Sequence, residues 1–151
     1  MRHNTKLNNK GFTIIEVLIV LAIAGLIMLI VFLAVPALQR TQRNTARKND
    51  VARVGGAVTE FSTDNNGKSP VAADLPAIRN KIGTLSQYDG TTQPILATKV
   101  QPALTAIDQI RIVTEAKCDT AGKTAAGTTR QIAVQYMSEN TGAPTGLCQD
   151  L

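Results

Sequence analysis

The chain has no tryptophan, one histidine and two cysteines in 151 residues, and its aromatic side chains are Phe12, Phe32, Phe61, Tyr88 and Tyr136. The one imidazole is His3, in a polar N-terminal stretch, MRHNTKLNNK, without apolar periodicity. A packed domain that follows this stretch therefore lacks a histidine general base or metal ligand. No phosphate-cradling glycine motif, His/Cys metal spacing or nucleophile elbow occurs. No enzyme activity, no metal and no cofactor are expected.

Charge is absent where it is most telling. From Phe12 to Leu38 the one ionisable side chain is Glu16. The stretch Gly11–Val35, GFTIIEVLIVLAIAGLIMLIVFLAV, places 24 residues after its glycine, long enough to cross a bilayer as a helix at about 1.5 Å per residue. The near-zero mean hydropathy is an average of this span and a Thr/Ala/Gly/Gln-rich remainder. The formal charge of +5 divides as well. Removing Arg2, Lys6 and Lys10 leaves 13 cations against 11 anions, a net +2. The basic balance is partly a property of the leader and is weak support for a nucleic-acid-binding domain.

Residues 1–10 read as a targeting segment outside the fold. A secretory signal peptide is the ordinary alternative, and Val35-Pro36-Ala37 places small residues where a signal peptidase prefers them. Against it, the apolar run exceeds the usual 7–15 residues and Glu16 interrupts its start. Flanking Lys and Arg keep an N-terminus cytoplasmic, although the later cations Arg40, Arg43, Arg47, Lys48 and Arg53 pull the other way. One crossing from a cytoplasmic N-terminus would put Cys118 and Cys148 outside, where disulfides persist. They permit one intramolecular pairing, the alternative being two separate buried thiols.

Lys10-Gly11-Phe12-Thr13-Ile14-Ile15-Glu16-Val17-Leu18 resembles the processing site and N-terminus of type IV pilins and their relatives, the pseudopilins. The resemblance combines a short basic leader, a Gly–Phe junction, a glutamate five residues into the mature chain and a long span. It implies that a prepilin peptidase cuts after Gly11 and methylates the new amine of Phe12. It also implies that Glu16 meets the Phe12 amine of a neighbouring copy and so sets subunit register. A carboxylate in an apolar span is costly and usually partnered, and no Lys, Arg or His between Phe12 and Leu38 can supply a partner. The alternative is a Glu16 held at the interface by the positive end of the helix dipole.

Downstream, Val51, Val54, Val58 and Phe61 recur at helical spacing, a stripe that packs on a sheet. Gly25 and Pro36 are helix breakers within and at the end of the span. Gly55-Gly56 would admit close approach of another backbone. Asp64-Asn65-Asn66-Gly67 stops the helix. The stretch Phe61–Pro70 also looks like the family, and the spacing of an EF-hand is absent around Asp64. Leu75–Ile82 is a short helix candidate, Gly83–Gln93 a loop, and Pro94 and Pro102 break what lies between. Gln109–Lys117 and Gln131–Met137 are strand candidates, the second with Ile132, Val134 and Tyr136 on one face. Asp119–Thr129 reads as a turn-forming connection, and Ser138–Leu151 as a tail with turn signals before Cys148. Closing Cys118 to Cys148 matches the pilin habit of pinning a C-terminal loop onto the sheet. Lys117, Lys123 and Arg130 could gather as a patch for DNA or a host surface, but no aromatic interleaves them for base stacking.

The expected fold is α+β, a long N-terminal membrane-spanning helix continuing into a small antiparallel β-sheet head with a C-terminal disulfide loop. The divisions are a removed leader at 1–11, a transmembrane and filament-core helix at 12–37, its amphipathic continuation at 38–64 and a globular head at 65–151. The resemblance implies a structural subunit that waits in the cytoplasmic membrane. It then polymerises, with prepilin peptidase and the pilus assembly machinery as partners, into a surface filament serving adhesion, twitching motility or DNA uptake. A minor pilin or secretion pseudopilin shares every N-terminal feature. A non-polymerising membrane-anchored binding module is the reading from another class.

Overall fold

The computed structural model describes residues 11–88 and 93–151. The leader expected at 1–11 thus lies outside the described residues except for Gly11, as do residues 89–92 of the loop expected at 83–93. The chain divides into two units, one ending at Leu38 and one running from Gln39 to Leu151.

The first unit is helical from Ile14, the start of α1 (Ile14–Asp64), and every residue from Gly11 to Leu38 is exposed. Its side chains are apolar all round the helix. A helix of that kind has no preferred face to bury and needs lipid or other helices on every side. The helix continues through Pro36, which is expected to remove one backbone bond without ending it. This is the one helix among the described residues long and apolar enough to cross a membrane.

The second unit is a head built on the later turns of α1. Val51, Val54 and Val58 are at most 1% exposed, and Phe61 packs beside them. Burying each valine contributes about 1.5–3 kcal/mol before entropy is counted. The helix stops where the turn residues predict. Asn66 and Gly67 take positive φ values of 56° and 78°, and the Gly67 amide donates back to the Ser62 carbonyl at 2.7 Å. That bond satisfies a carbonyl the helix end would otherwise leave open. A 3-10 turn (Ala72–Asp74) leads into α2 (Leu75–Ile82), whose Ile78 and Ile82, four apart, face the same core. Gly83 ends α2. Arg53 of α1 donates to the carbonyls of Ile82 and Thr84, both at 2.6 Å, adding a cation at the negative end of α2.

Six strands follow, β1 (Ile95–Thr98), β2 (Arg111–Thr114), β3 (Ala116–Cys118), β4 (Thr124–Ala126), β5 (Ile132–Ser138) and β6 (Thr145–Asp150). A four-stranded sheet has the order β1-β2-β5-β6, and β3 pairs with β4 in a separate hairpin. Pairing is antiparallel except that β1 runs parallel to β2. Leu96, Ile112, Ile132, Val134, Tyr136 and Leu147 meet the valine stripe of α1 and the two isoleucines of α2. The alternation read in β5 therefore points to the core.

The run expected as one strand over 109–117 is two strands in different sheets. The break is Glu115, at φ 55°, a left-handed conformation that ends the β2 ladder. The connection expected at 119–129 holds a 3-10 turn (Thr120–Gly122) and β4, and the tail holds β6. On the far side of the sheet from α1, Gln135 is fully buried and holds this layer down. Its amide donates to the carbonyls of Gly122 (2.7 Å) and Pro102 (3.1 Å), while its oxygen accepts from Arg111. Cys118 and Cys148 form a disulfide that ties β3 to β6.

Candidate functional site

The candidate site is the start of the apolar span. The side chain of Thr13 and that of Glu16, three residues on, close a reciprocal pair of bonds. The Thr13 amide and hydroxyl donate to Glu16 Oε2 at 2.8 and 2.7 Å, and the Glu16 amide donates to Thr13 Oγ1 at 3.3 Å. This is a capping box, which satisfies amides that the first helical turn leaves open. Within its own chain Glu16 is thus partnered by a neutral residue, Thr13, and not by a cation. The Thr-x-x-Glu spacing ahead of an apolar run carried that signal and was missed. Glu16 Oε1 accepts no hydrogen bond among the described residues. Phe12, Glu16, Val17, Val20 and Leu21 line an apolar notch beside it.

Gly11 and Phe12 precede the helix, exposed and outside any helix or strand. A peptidase needs its scissile bond outside regular structure, and the bond after Gly11 meets that condition. Phe12 is 88% exposed, so its ring is not held by the chain's own fold.

The other residues singled out from sequence fall elsewhere. Gly55 faces a side chain and not a backbone, because a Cβ there would meet Leu151 Cδ2 at 2.8 Å. Gly56 is exposed with nothing nearby. Asp64 accepts from Lys81, which also bonds Glu60. Arg130 lies against Gly67 at the end of α1, while Lys117 and Lys123 are exposed on the β3–β4 hairpin. Among the described residues no group of three His, Cys, Asp or Glu could hold a metal ion.

The charged cluster of the head was not foreseen. Glu139, just beyond β5, accepts from Arg43 Nε and Nη2 (2.6–2.9 Å) and from Arg47 Nη1 (2.8 Å). Asn44 adds two bonds to its backbone. Hydrogen bonds from Arg43 and then Arg47 hold the Glu139 carboxyl down at about 2, against an ordinary 4.5. The contact ties the end of β5 to α1 across 92–96 residues of sequence.

Residues 6–32 match the family model described as the prokaryotic N-terminal methylation motif. The chain is 35% identical over 69 residues to Competence protein ComGC of Bacillus subtilis (strain 168), an alignment that covers 46% of this chain and 70% of that protein. No solved structure matches it. With the capped apolar helix, the β-sheet head and the disulfide in place, this motif and this relative show that the chain belongs to the type IV pilin family.

Proposed function

We propose that the chain is a structural subunit that polymerises through residues 12–37 into an extracellular filament. A prepilin peptidase would first remove residues 1–11 and methylate Phe12. The observation that carries the reading is a helix apolar on every side, uncovered throughout, with a single carboxylate in its first turn. Lipid covers such a helix before assembly and a bundle of like helices covers it afterwards. Thr13 takes one oxygen of Glu16 and leaves the other for a cation. The amine that cleavage exposes at Phe12 of a second copy fits that need, and this pairing would set the axial register. The competence relative favours DNA uptake over adhesion or twitching motility as the filament's service. A minor pilin or secretion pseudopilin would use the same N-terminus at lower abundance.

Glu16→Gln separates the two roles of this side chain. Glutamine keeps an acceptor for the capping box and removes the charge. The variant should insert in the membrane normally and be cleaved after Gly11, yet yield few sheared fibres. Normal fibre yield from Glu16→Gln would refute a charge-pairing role. An intact Met1 in fibres, read by mass spectrometry, would refute processing.

A further inference from the structure

Beyond the apolar span the helix becomes one-signed. No carboxylate occurs between Glu16 and Asp50, while Arg40, Arg43, Arg47 and Lys48 all fall within ten residues of Leu38. A helix face solvated for its own stability carries both signs, spaced to pair at i and i+4. This one cannot, because its acids are missing.

The head neutralises part of the charge. Arg47 is buried and shares Glu139 with Arg43, so these three groups together leave one positive charge. Arg43 remains 43% exposed at its side chain. Asp50 gives no relief, being buried and engaged by the Ser86 and Gln87 amides and the Ser86 hydroxyl. Lys48 is exposed and Arg40 partly buried, and among the described residues neither has an ion pair.

We infer that Arg40 and Lys48, with the charge left over on Arg43, form a cationic collar that selects anionic phospholipid headgroups while the span sits in the bilayer. The inference rests on the membrane-spanning reading of residues 12–37. At about 1.5 Å per residue, Arg40 stands roughly 3 Å and Lys48 roughly 15 Å past the end of the apolar run. Headgroups occupy about 5–8 Å on each side of the hydrocarbon, and a charge acts over a further 8–10 Å at physiological salt. Both cations fall in that range. Cations at this depth are drawn to anionic lipid by about five-fold in affinity each.

The test uses the full chain reconstituted in bilayers of phosphatidylglycerol and phosphatidylcholine in equal parts. After gentle extraction, native mass spectrometry counts the lipids retained on each protein. The expected result is preferential retention of phosphatidylglycerol, reduced at least five-fold in Arg40→Gln/Lys48→Gln and unchanged in Lys117→Gln/Lys123→Gln. Equal retention of the two lipids by the unaltered chain overturns the inference, as does loss of selectivity in both double variants alike. A carbodiimide cross-link from Lys48 to a second copy, without lipid selectivity, also overturns it and assigns the cations to subunit contact. Carbonate extraction keeps the two levels apart. A chain released by carbonate refutes the membrane reading and the inference together, whereas an inserted chain without selectivity refutes the inference alone.

Discussion

Replacing Glu139 tests how the head is fixed to its helix. Glu139→Gln removes the charge that faces Arg43 and Arg47 while keeping size and one acceptor. Arg47 is 6% exposed and its Nε has no partner among the described residues, so the variant leaves a buried cation short of its counter-charge. Breaking a fully buried pair costs about 3–5 kcal/mol, and an exposed pair contributes about 0–1. The Glu139 side chain is 19% exposed and stands between these limits. We expect a loss of about 2 kcal/mol, or roughly 8 °C in Tm for a head of this size. The assay is thermal unfolding of the full chain in detergent, followed by circular dichroism across a pH series. The folded carboxyl at about 2 lies below its ordinary 4.5, so its stabilisation is complete above about 4.5 and is lost as pH falls toward 2. The variant should lose that acid-sensitive component. A Tm shift under 2 °C, with an unchanged acid limb, would refute the assignment of Glu139 as the tie between β5 and α1.

Three other substitutions have outcomes set by the structure. Gly122→Ala should destabilise the head by about 3 kcal/mol in urea unfolding, because φ is +73° and the new Cβ would lie 2.3 Å from the Gly146 carbonyl carbon. Gly56→Ala should stabilise the unassembled chain by about 0.8–1 kcal/mol, since that Cβ meets open space on a helix. A fall in fibre yield from the same variant would place Gly56 in a subunit contact. Cys118→Ser/Cys148→Ser, compared by equilibrium unfolding, should lose about 3–4 kcal/mol for a closed loop spanning a sequence separation of 30.

The helical half of the fold was readable because its signals are local. The valine stripe, the Asn-Gly stop and the alternation of Ile132, Val134 and Tyr136 each operate over a few residues. What escaped depends on distant partners. β1 is a four-residue strand beside prolines, and it exists because β2 offers it a parallel edge. β6 has neither strong apolar alternation nor β-branched residues in number, and pairing along β5 holds it. The left-handed Glu115 divides β2 from β3, a conformation unusual for a glutamate that no propensity would have indicated. At the candidate site, Gly11, Phe12 and Glu16 stand out by pattern, within the stretch that the methylation motif covers. The Thr13 cap is legible from the Thr-x-x-Glu spacing, a neutral partner where the cost of a carboxylate in an apolar span points first to a cation. The Arg43–Arg47–Glu139 cluster could not be read, since its members are 92–96 residues apart.

The disulfide also governs how far the head can be stretched. β5, between β2 and β6 in the sheet, lies entirely between Cys118 and Cys148 in the chain. In the proposed filament, tension that unravels the heads would release chain only outside this covalent loop. At about 3.4 Å per extended residue, a separation of 30 withholds roughly 100 Å of contour length from each subunit. Reduction of the bond would return that length, turning a head with a fixed limit of extension into one that pays out its central strand under load.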